Sequence, residues 1–442
     1  MINPLQKSKY FYPMKPILFH IGQHFRIPKM VLSVKPLNRF RQQKINSFFR
    51  NYFNFVRKVD FFSLVTFFAI VNYVTWLLTW LLFVNNLKHP KDWLLFWDTS
   101  HLIASGGLEK IYPGVTPNLP FMYPPNFLLL IYPLQYFSKP VAFIIIIAFS
   151  IIMLLLSFWV INKIFPSDKS TFLKLCIIIL SSGSWIIMLP IGQFSALYLF
   201  LICLGLKLRM SEMSWLAGGT LSLLMLKPNI GLIFPFLFLF RRDYKLIIGW
   251  VFGVGLLFLI SNFIFKSAWH NYIYYFPTIN SIIEQIPPWR HHTLLAFLRS
   301  ISDLQSQESI FKAWFFSSVP LIGLSSYTWY ISKGSFNYYP RLFGIAAMTI
   351  IVCSPHLHHY DAIIAALPAF TWFSSKDKYY FRFSYTIIGG SLLLAYFLQQ
   401  ISILYIQKGV SLVSLPLSIC LLVDCFDLIS QIQSKLLAQN GY

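Results

Sequence analysis

Apolar runs of about 20 residues recur along most of this chain, and they constrain its fold more than any other feature. A run of that length is long enough to cross a bilayer as an α-helix. The sequence lacks the regular alternation of about ten residues that marks a membrane-spanning sheet. Because the hydrocarbon core offers no water to backbone polar groups, helices are the remaining solution. The sequence therefore predicts an all-α polytopic membrane protein.

Composition agrees with this class. Hydrophobic residues make up 57% of the 442 positions and charged residues only 11%, whereas soluble domains carry about 25% charge. We expect about 12 membrane helices with both termini in the cytoplasm of a plasma (inner) membrane protein. The predicted segments are roughly residues 61–84, 121–137, 140–162, 171–189, 193–209, 213–240, 246–265, 313–332, 340–354, 360–374, 380–399 and 409–428.

The net charge of +22 can indicate nucleic-acid binding, but the placement of the basic residues favours a membrane instead. Twelve Lys and Arg lie within residues 1–58, and no acid precedes Asp60. Many other basic residues flank the ends of apolar runs, as cytoplasmic anchors do. Residues 1–60 are predicted to be a basic cytoplasmic tail near anionic lipid, residues 61–442 the transmembrane domain, and nucleic acid is not an expected partner.

The predicted segment 213–240 is longer than one crossing requires, and Lys227-Pro228 stands at its middle. Two interpretations are open: a hairpin, or a broken pair of half-helices. In either case Gly192-Gln193 moves to the outer side of the membrane, and an earlier segment does not fully cross.

The first predicted outer loop, residues 85–120, is polar and rich in Gly and Pro, which leaves room for chemistry. Within it, residues 92–105 are predicted to form a short helix at the membrane surface that ends at Gly106-Gly107. At 100° per residue, Asp98 and His101 fall on one side of that helix.

Asp98 is the candidate general base. The chain has 14 acidic residues, and among those predicted to lie outside, Asp98 alone stands in a strongly apolar run, LLFWDTSHLI. Partial desolvation raises the pKa of a carboxyl group toward values that suit a base. The alternative is an Asp that caps a helix turn or pairs with His101. Tyr123 precedes Pro124-Pro125 at the expected start of the next helix, where a structural role is favoured over substrate contact.

Several short motifs follow one another in a fixed order. They are an Asp on a short outer helix, Gly-Gly followed by Ile-Tyr, Tyr123-Pro124-Pro125, Gly192-Gln193, Leu216-Ala217-Gly218, Lys227-Pro228, Arg241-Arg242 and Ser354-Pro355. Over roughly residues 90–375 this order resembles glycosyltransferase family 87, which belongs to the GT-C superfamily of polyprenyl-phosphate-sugar-dependent transferases.

The resemblance implies a GT-C-type helical bundle with a catalytic first outer loop. It implies transfer of a hexose, often mannose, from a polyprenyl-phosphate donor to a lipid-linked or cell-envelope glycan acceptor on the outer face. The transfer would invert the sugar and use neither a nucleotide sugar nor a cofactor. By the same resemblance Asp98 would deprotonate the acceptor hydroxyl, while a cationic group holds the leaving lipid phosphate.

Lys227 is the candidate for that phosphate, because a charge inside an apolar run usually marks a ligand site or a pathway. The alternative is a lysine that snorkels at the end of a half-helix. Gln193 is expected either to bond sugar hydroxyls or to satisfy the backbone of its turn. In the long predicted outer loop, residues 266–312, Arg290 beside His292 can clamp a phosphate, unless the loop only lines the interface.

The turn after Ser354-Pro355 holds His356, His358 and His359. This spacing lacks the second pair of ligands that a zinc site needs, so no metal is expected. A hydrogen bond from one of these imidazoles to sugar or phosphate is the favoured interpretation, and a satisfied histidine at the membrane interface is the alternative.

Two other classes of protein compete with an enzyme. A transporter or lipid flippase without transfer chemistry would place ionisable residues at the midplane of the bilayer. Here most acids lie at the edges of the apolar runs and in loops, and only Lys227 argues for transport. A membrane scaffold without chemistry is the third possibility, which a cluster of Asp98, Lys227 and the histidine turn would argue against.

Overall fold

The computed structural model describes residues 66–74 with gaps at 68 and 72, and residues 92–112, 121–165, 168–302, 306–374, 382–404 and 411–439. The chain divides into Met1–Phe61 and Phe62–Tyr442, and every described residue belongs to the second unit. The predicted basic tail (residues 1–60) lies outside the described residues. So do most of the first predicted membrane helix, 61–84, and residues 85–91 and 113–120 of the first predicted outer loop.

The described part of the chain is helical and forms no β-strand. Its helices are α1 (Asp92–Ala104), α2 (Pro125–Ile131), α3 (Lys139–Ile164), α4 (Lys169–Leu180), α5 (Gly183–Ile191), α6 (Ser195–Met210), α7 (Ser214–Ser222), α8 (Pro228–Gly231), α9 (Ile233–Arg241), α10 (Tyr244–Ile264), α11 (Ala268–Gln285), α12 (Leu294–Ile301), α13 (Gln307–Ile331), α14 (Tyr339–Cys353), α15 (Ala366–Ser374), α16 (Arg382–Leu404) and α17 (Ser414–Gln439). Short 3-10 segments lie at Leu108–Lys110, Tyr132–Tyr136, Leu223–Leu226, Pro288–Arg290, Phe336–Tyr338 and His359–Ala365.

Among the described residues, three helices are long and apolar enough to cross a membrane: α3, α10 and most of α17. The pair α4 and α5, bent by 52°, would make a fourth. Four further apolar segments are shorter, namely Ser214–Leu226, Pro228–Arg241, Tyr339–Cys353 and Ser384–Gln399. These helices agree with an all-α membrane protein, while the count of 12 crossings stays a prediction.

Two predicted boundaries change in the structure. The segment 121–137 is not one membrane helix, because α2 has only seven residues and the chain continues as the 3-10 segment to Tyr136. A seven-residue helix rises only about 10 Å, well short of a bilayer. Its predicted start is confirmed, since Pro125 occupies the first turn of α2. The predicted outer loop 266–312 contains α11, α12 and the beginning of α13.

The long segment 213–240 folds as a hairpin with Lys227 at its tip. Lys227 has a non-helical backbone (φ −135°, ψ 89°), and Pro228 begins α8. The guanidinium groups of Arg209 at the end of α6 and of Arg241 at the end of α9 lie 4.5 and 4.1 Å from the ring centre of Tyr339. Both basic ends therefore meet at one end of the bundle, and Lys227 reaches the opposite end.

Glycines let α7 and α10 cross closely. A Cβ atom at Gly218 would lie 2.2 Å from the carbonyl oxygen of Leu246, and one at Gly249 would lie 2.3 Å from that of Trp215. Small residues at such crossings are typical of membrane helices, where van der Waals packing replaces the hydrophobic effect. This crossing fixes the first arm of the hairpin that carries Lys227.

Buried ion pairs join the helices at the end of the bundle that holds Arg209 and Arg241. Arg209 Nε lies 2.8 Å from Asp243 Oδ2. Arg341 of α14 contacts Asp424 and Asp427 of α17, at 2.5 and 2.8 Å. Charges buried in this way are tolerated because each has an opposite charge and a hydrogen bond.

Candidate active site

The site is built around Asp92, the first residue of α1. Its Oδ2 atom accepts a hydrogen bond from the side-chain amide of Gln193 and a longer one, 3.4 Å, from the hydroxyl of Tyr360. The positive charges of Lys227 and Arg290 also act on this carboxylate. Segments that are far apart in sequence therefore converge on one acid.

A tight turn after α5 brings Gln193 to the beginning of α1. Gly192 ends α5 with φ of +74°, in the left-handed region that favours glycine. A Cβ atom at Gly192 would lie 2.5 Å from the Cβ atom of Trp93. The hydroxyl of Tyr123 donates to Gln193 Oε1 at 3.2 Å. Only a residue without a side chain thus lets the two segments meet this closely.

Lys227, at the tip of the hairpin, is held in a buried ion pair. Its Nζ atom lies 2.5 Å from Asp361 Oδ2, and the hydroxyl of Ser195 donates to Asp361 Oδ1 at 2.7 Å. The ammonium group also lies 5.1 Å from the ring centre of Tyr360. A buried charge needs both a counter-charge and hydrogen bonds, and this pair supplies them.

Two histidine-containing segments lie side by side next to this pair. Their main chains form an antiparallel bridge between His291 and His358, and the two rings lie 4.6 Å apart. The Nδ1–H of His359 donates to the main-chain oxygen of Arg290 at 3.0 Å. This bond leaves Nε2 as the acceptor nitrogen of a neutral His359. The guanidinium of Arg290 belongs to an exposed residue at the edge of the site.

Burial sets the protonation behaviour of the site. It raises the pKa of Asp92 above the ordinary value, and the hydrogen bond from Gln193 and the charge of Lys227 act in the opposite direction. Burial also lowers the pKa of His292 to about 3 and the pKa values of His356 and His359 to about 4. Near neutral pH these histidines are uncharged donors and acceptors, and their lowered pKa values make them weak bases.

Asp98 and His101 lie further along α1, in different surroundings. Asp98 is six residues from Asp92, about 9 Å along the helix axis. Its carboxylate is one-third exposed and lies 3.6 Å from the ammonium of Lys139, which also lies 4.6 Å from the ring centre of Trp97. His101 stacks on Trp97 with ring centres 3.7 Å apart. The contacts of this group tie α1 to the start of α3.

The structure thus brings together most of the residues that the sequence proposed for substrate binding. Those at or beside Asp92 are Tyr123, Gln193, Lys227, Arg290 and His359, with His292, His356 and His358 in the adjoining segments. Asp98 and His101 do not join this group through any contact among the described residues. The assignment of Asp98 as the base stays a prediction.

Three residues of the site were missed in the sequence: Asp92, Tyr360 and Asp361. Asp92 follows Pro90-Lys91 and precedes an apolar run, a position that also suits an acid that starts a helix and complements its dipole. Asp361 closes the histidine turn and looked like an acid of an outer loop. The sequence did contain a signal for Asp361. Lys227 stands within an apolar run, where a buried lysine requires an acidic partner, and the structure shows that Asp361 is that partner.

The arrangement combines a carboxylate of raised pKa with two cations and several neutral imidazoles. A carboxylate of this kind can accept a proton from a hydroxyl group, and cations beside it can stabilise an anionic leaving group. Together these two abilities suit the transfer of a group to an alcohol with release of an anion.

The chain matches a protein-family model. The family model of glycosyltransferase family 87 matches residues 121–355, more than half of the chain. The matched region includes Tyr123, Gln193, Lys227 and Arg290, while Asp92 precedes it. No curated protein and no solved structure matches the chain.

Proposed function

The chain belongs to glycosyltransferase family 87, and from this membership and the geometry of its site we propose a membrane hexosyltransferase with Asp92 as its general base. The donor is a polyprenyl-phosphate hexose, in the first instance mannose. The acceptor is a lipid-linked or cell-envelope glycan on the outer face of the membrane. Membership in the family and the apolar helices support a membrane glycosyltransferase; the sugar, the donor and the side of the membrane are parts of the proposal.

We propose Asp92 as the base because of its environment. Its carboxylate meets Gln193, Tyr360, Lys227 and Arg290 in one site, and burial raises its pKa. A base must be strong enough to take a proton from an alcohol and must still be ionised near neutral pH. Burial raises the pKa of Asp92, which strengthens it as a base, while the hydrogen bonds from Gln193 and Tyr360 and the charges of Lys227 and Arg290 favour its ionised form.

The reaction follows from this placement. Asp92 takes the proton of the acceptor hydroxyl while the acceptor oxygen attacks the anomeric carbon of the donor sugar. The bond between that carbon and the phosphate oxygen breaks, and its electron pair leaves with the polyprenyl phosphate. Attack from the face opposite the leaving group inverts the anomeric configuration. The proton stays on the Asp92 carboxylate until the product departs.

The leaving phosphate needs positive charge, and two groups are placed to supply it. Arg290 is exposed at the edge of the site and acts electrostatically on Asp92. Its planar guanidinium suits bidentate binding of phosphate. Lys227 is buried with Asp361, whereas Arg290 is exposed at the edge of the site, so we assign Arg290 the direct contact. Lys227, whose ammonium lies over the ring of Tyr360, stabilises the leaving phosphate by its charge without direct contact.

A transfer assay tests the proposal. Proteoliposomes with the wild-type chain, Asp92→Asn or Asp98→Asn receive radiolabelled polyprenyl-phosphate mannose, glucose or arabinose and an envelope lipid extract as acceptor. We expect label in a glycolipid or glycan fraction with wild type and Asp98→Asn, and about 100- to 10,000-fold less with Asp92→Asn.

Two results would contradict the proposal. Full transfer activity of Asp92→Asn, together with loss of activity in Asp98→Asn, would show that Asp98 is the base. Transport of the lipid-linked sugar across the vesicle membrane without transfer, equally in all three proteins, would favour a flippase.

A further inference from the structure

The side-chain amide of Gln193 is engaged at both of its ends. Its Nε2 group donates to Asp92 Oδ2, and its Oε1 atom accepts from the hydroxyl of Tyr123 at 3.2 Å. The main-chain oxygen of Gln193 accepts from the hydroxyl of Ser150 on α3 at 3.0 Å. Gln193 is therefore fixed in position as well as in orientation.

The carboxylate of Asp92 decides which way the amide points. An ionised carboxylate can only accept, so it requires the NH₂ group on its side, and the amide oxygen then faces the hydroxyl of Tyr123, which donates to it. The ring of Tyr123 is itself held by stacking on Phe127, with centres 4.1 Å apart. Tyr123 and Gln193 thus form a chain of two hydrogen bonds that ends on the carboxylate.

Gln193 has little access for a substrate. Its relative exposure is 2%, and both polar ends of the amide are occupied within the protein. A residue that binds sugar hydroxyls would need a free donor or acceptor that faces the substrate. The contacts of Gln193 all face the protein, and the one that concerns chemistry faces Asp92.

We infer that Gln193 and Tyr123 are positioning residues: they hold the Oδ2 atom of Asp92 and stabilise its ionised form, so that the carboxylate is ready to accept the proton of the acceptor hydroxyl. This inference rests on the proposed function of Asp92. It replaces the role in sugar binding that the sequence suggested for Gln193 and gives Tyr123 a role through a second residue.

The pH dependence of transfer distinguishes positioning from substrate binding. A hydrogen bond to the charged form of an acid lowers its pKa, so removing the donor raises it. In Gln193→Leu the acidic limb of kcat/KM should therefore move to higher pH, by about one pH unit. Above that limb kcat/KM should recover to within about tenfold of wild type, since the base is ionised again.

Two further variants keep the volume of the site. Gln193→Glu places a second carboxylate against Asp92, and like charges raise the pKa further, so its acidic limb should move more than that of Gln193→Leu. Tyr123→Phe keeps the ring and its stacking and loses only the hydroxyl. Its limb should move in the same direction by a smaller amount, because the amide keeps its bond to Asp92 but loses the donor that anchors Oε1.

The experiment measures kcat and KM from pH 4.5 to 9 in proteoliposomes, with thermal unfolding in detergent to confirm that each variant folds. An unmoved acidic limb in Gln193→Leu and Gln193→Glu, with a raised KM for the donor, would overturn the inference and make Gln193 a substrate-binding residue. The base itself is tested separately. If Asp92→Asn is inactive while the limb of the Gln193 variants is unmoved, only the positioning role fails, whereas full activity of Asp92→Asn removes the proposed function.

Discussion

Asp92 and Asp98 lie on the same helix, fewer than two turns apart, and both residues are partly exposed, but their partners differ. Asp92 contacts Gln193 and Tyr360 and shares its site with buried charges. Asp98 is one-third exposed and faces a half-exposed lysine 3.6 Å away. The comparison teaches that an apolar stretch of sequence does not identify the acid with the most partners: the apolar neighbours of Asp98 pack elsewhere, and distant segments of the chain supply the partners of Asp92.

The largest expected effect is the loss of the carboxylate at Asp92. Asp92→Asn keeps the shape of the side chain but cannot accept the proton, so transfer should fall by about 100- to 10,000-fold. Initial rates with radiolabelled donor and equal amounts of folded protein measure this loss. A fall of less than about tenfold would mean that the base is another group.

The buried ion pair beside Asp92 and the exposed ion pair at Asp98 should differ next in their contribution to stability. In Lys227→Met the buried Asp361 loses its counter-charge, and breaking such a pair costs about 3–5 kcal/mol of stability. In Lys139→Met, Asp98 loses an exposed partner, which costs about 0–1 kcal/mol. Thermal unfolding in detergent micelles should therefore show a much lower Tm only for Lys227→Met.

A double variant, Lys227→Met with Asp361→Leu, separates charge from packing. Replacement of both partners by apolar groups should restore most of the Tm, because no unpaired charge remains. The result that contradicts this account is a Tm of the double variant as low as that of Lys227→Met.

Two glycines with positive φ, Gly192 and Gly106, allow a controlled test of whether the position of α1 affects transfer. A Cβ atom at Gly192 (φ +74°) would lie 2.5 Å from Trp93, while a Cβ atom at Gly106 (φ +83°) would find nothing within 4 Å. Both substitutions by Ala carry the same backbone strain, of about 1–2 kcal/mol. Only Gly192→Ala should also displace the beginning of α1.

We expect transfer to fall by about 10- to 100-fold in Gly192→Ala, because a small displacement of a base misaligns the reaction. Gly106→Ala should stay within about threefold of wild type under the same assay. Equal losses in the two variants would show that strain alone, and not the placement of Asp92, sets the rate.

The smallest effect is expected for Asp98→Asn. The variant loses an exposed ion pair that contributes about 0–1 kcal/mol, and it keeps the contacts of Trp97 with His101 and Phe137. Transfer and Tm should both stay close to wild type. A loss of transfer comparable to that of Asp92→Asn would reverse the comparison and support the assignment made from sequence.

Much of the fold could be predicted from the apolar runs, because their length and their basic ends follow directly from the bilayer. The ends of α3, α6, α10, α13 and α14 lie within a few residues of the predicted boundaries, apart from the start of α13. The positions at which helices break were harder to predict. The ring of Pro133 interrupts regular helix after α2, so that the short helix continues as a 3-10 segment. Lys227-Pro228 marked a break, but only the meeting of Arg209 and Arg241 showed that it is a hairpin.

The site could be predicted only as a set of residue types. Lys227, Gln193 and the histidines were identifiable because polar groups next to apolar runs need partners. Their partners were not identifiable, since Asp92 meets Gln193 and Tyr360 across more than 100 and 260 positions of sequence. Hydrophobic periodicity carries no information about such pairs, and this is why the sequence favoured Asp98.

The length of α6 has a consequence for the membrane around the protein. This helix of 16 residues begins beside Gln193 and ends beside Arg209, so the site and the basic end are separated by about 24 Å. The hydrocarbon core of a bilayer is about 30 Å thick. In the proposed topology α6 crosses the bilayer, and such a mismatch would be relieved when the lipid layer thins locally or when the polar end sinks below the headgroups. On that topology we expect bilayers of shorter acyl chains to bring the proposed lipid-linked substrate closer to Asp92, so that turnover depends on membrane thickness.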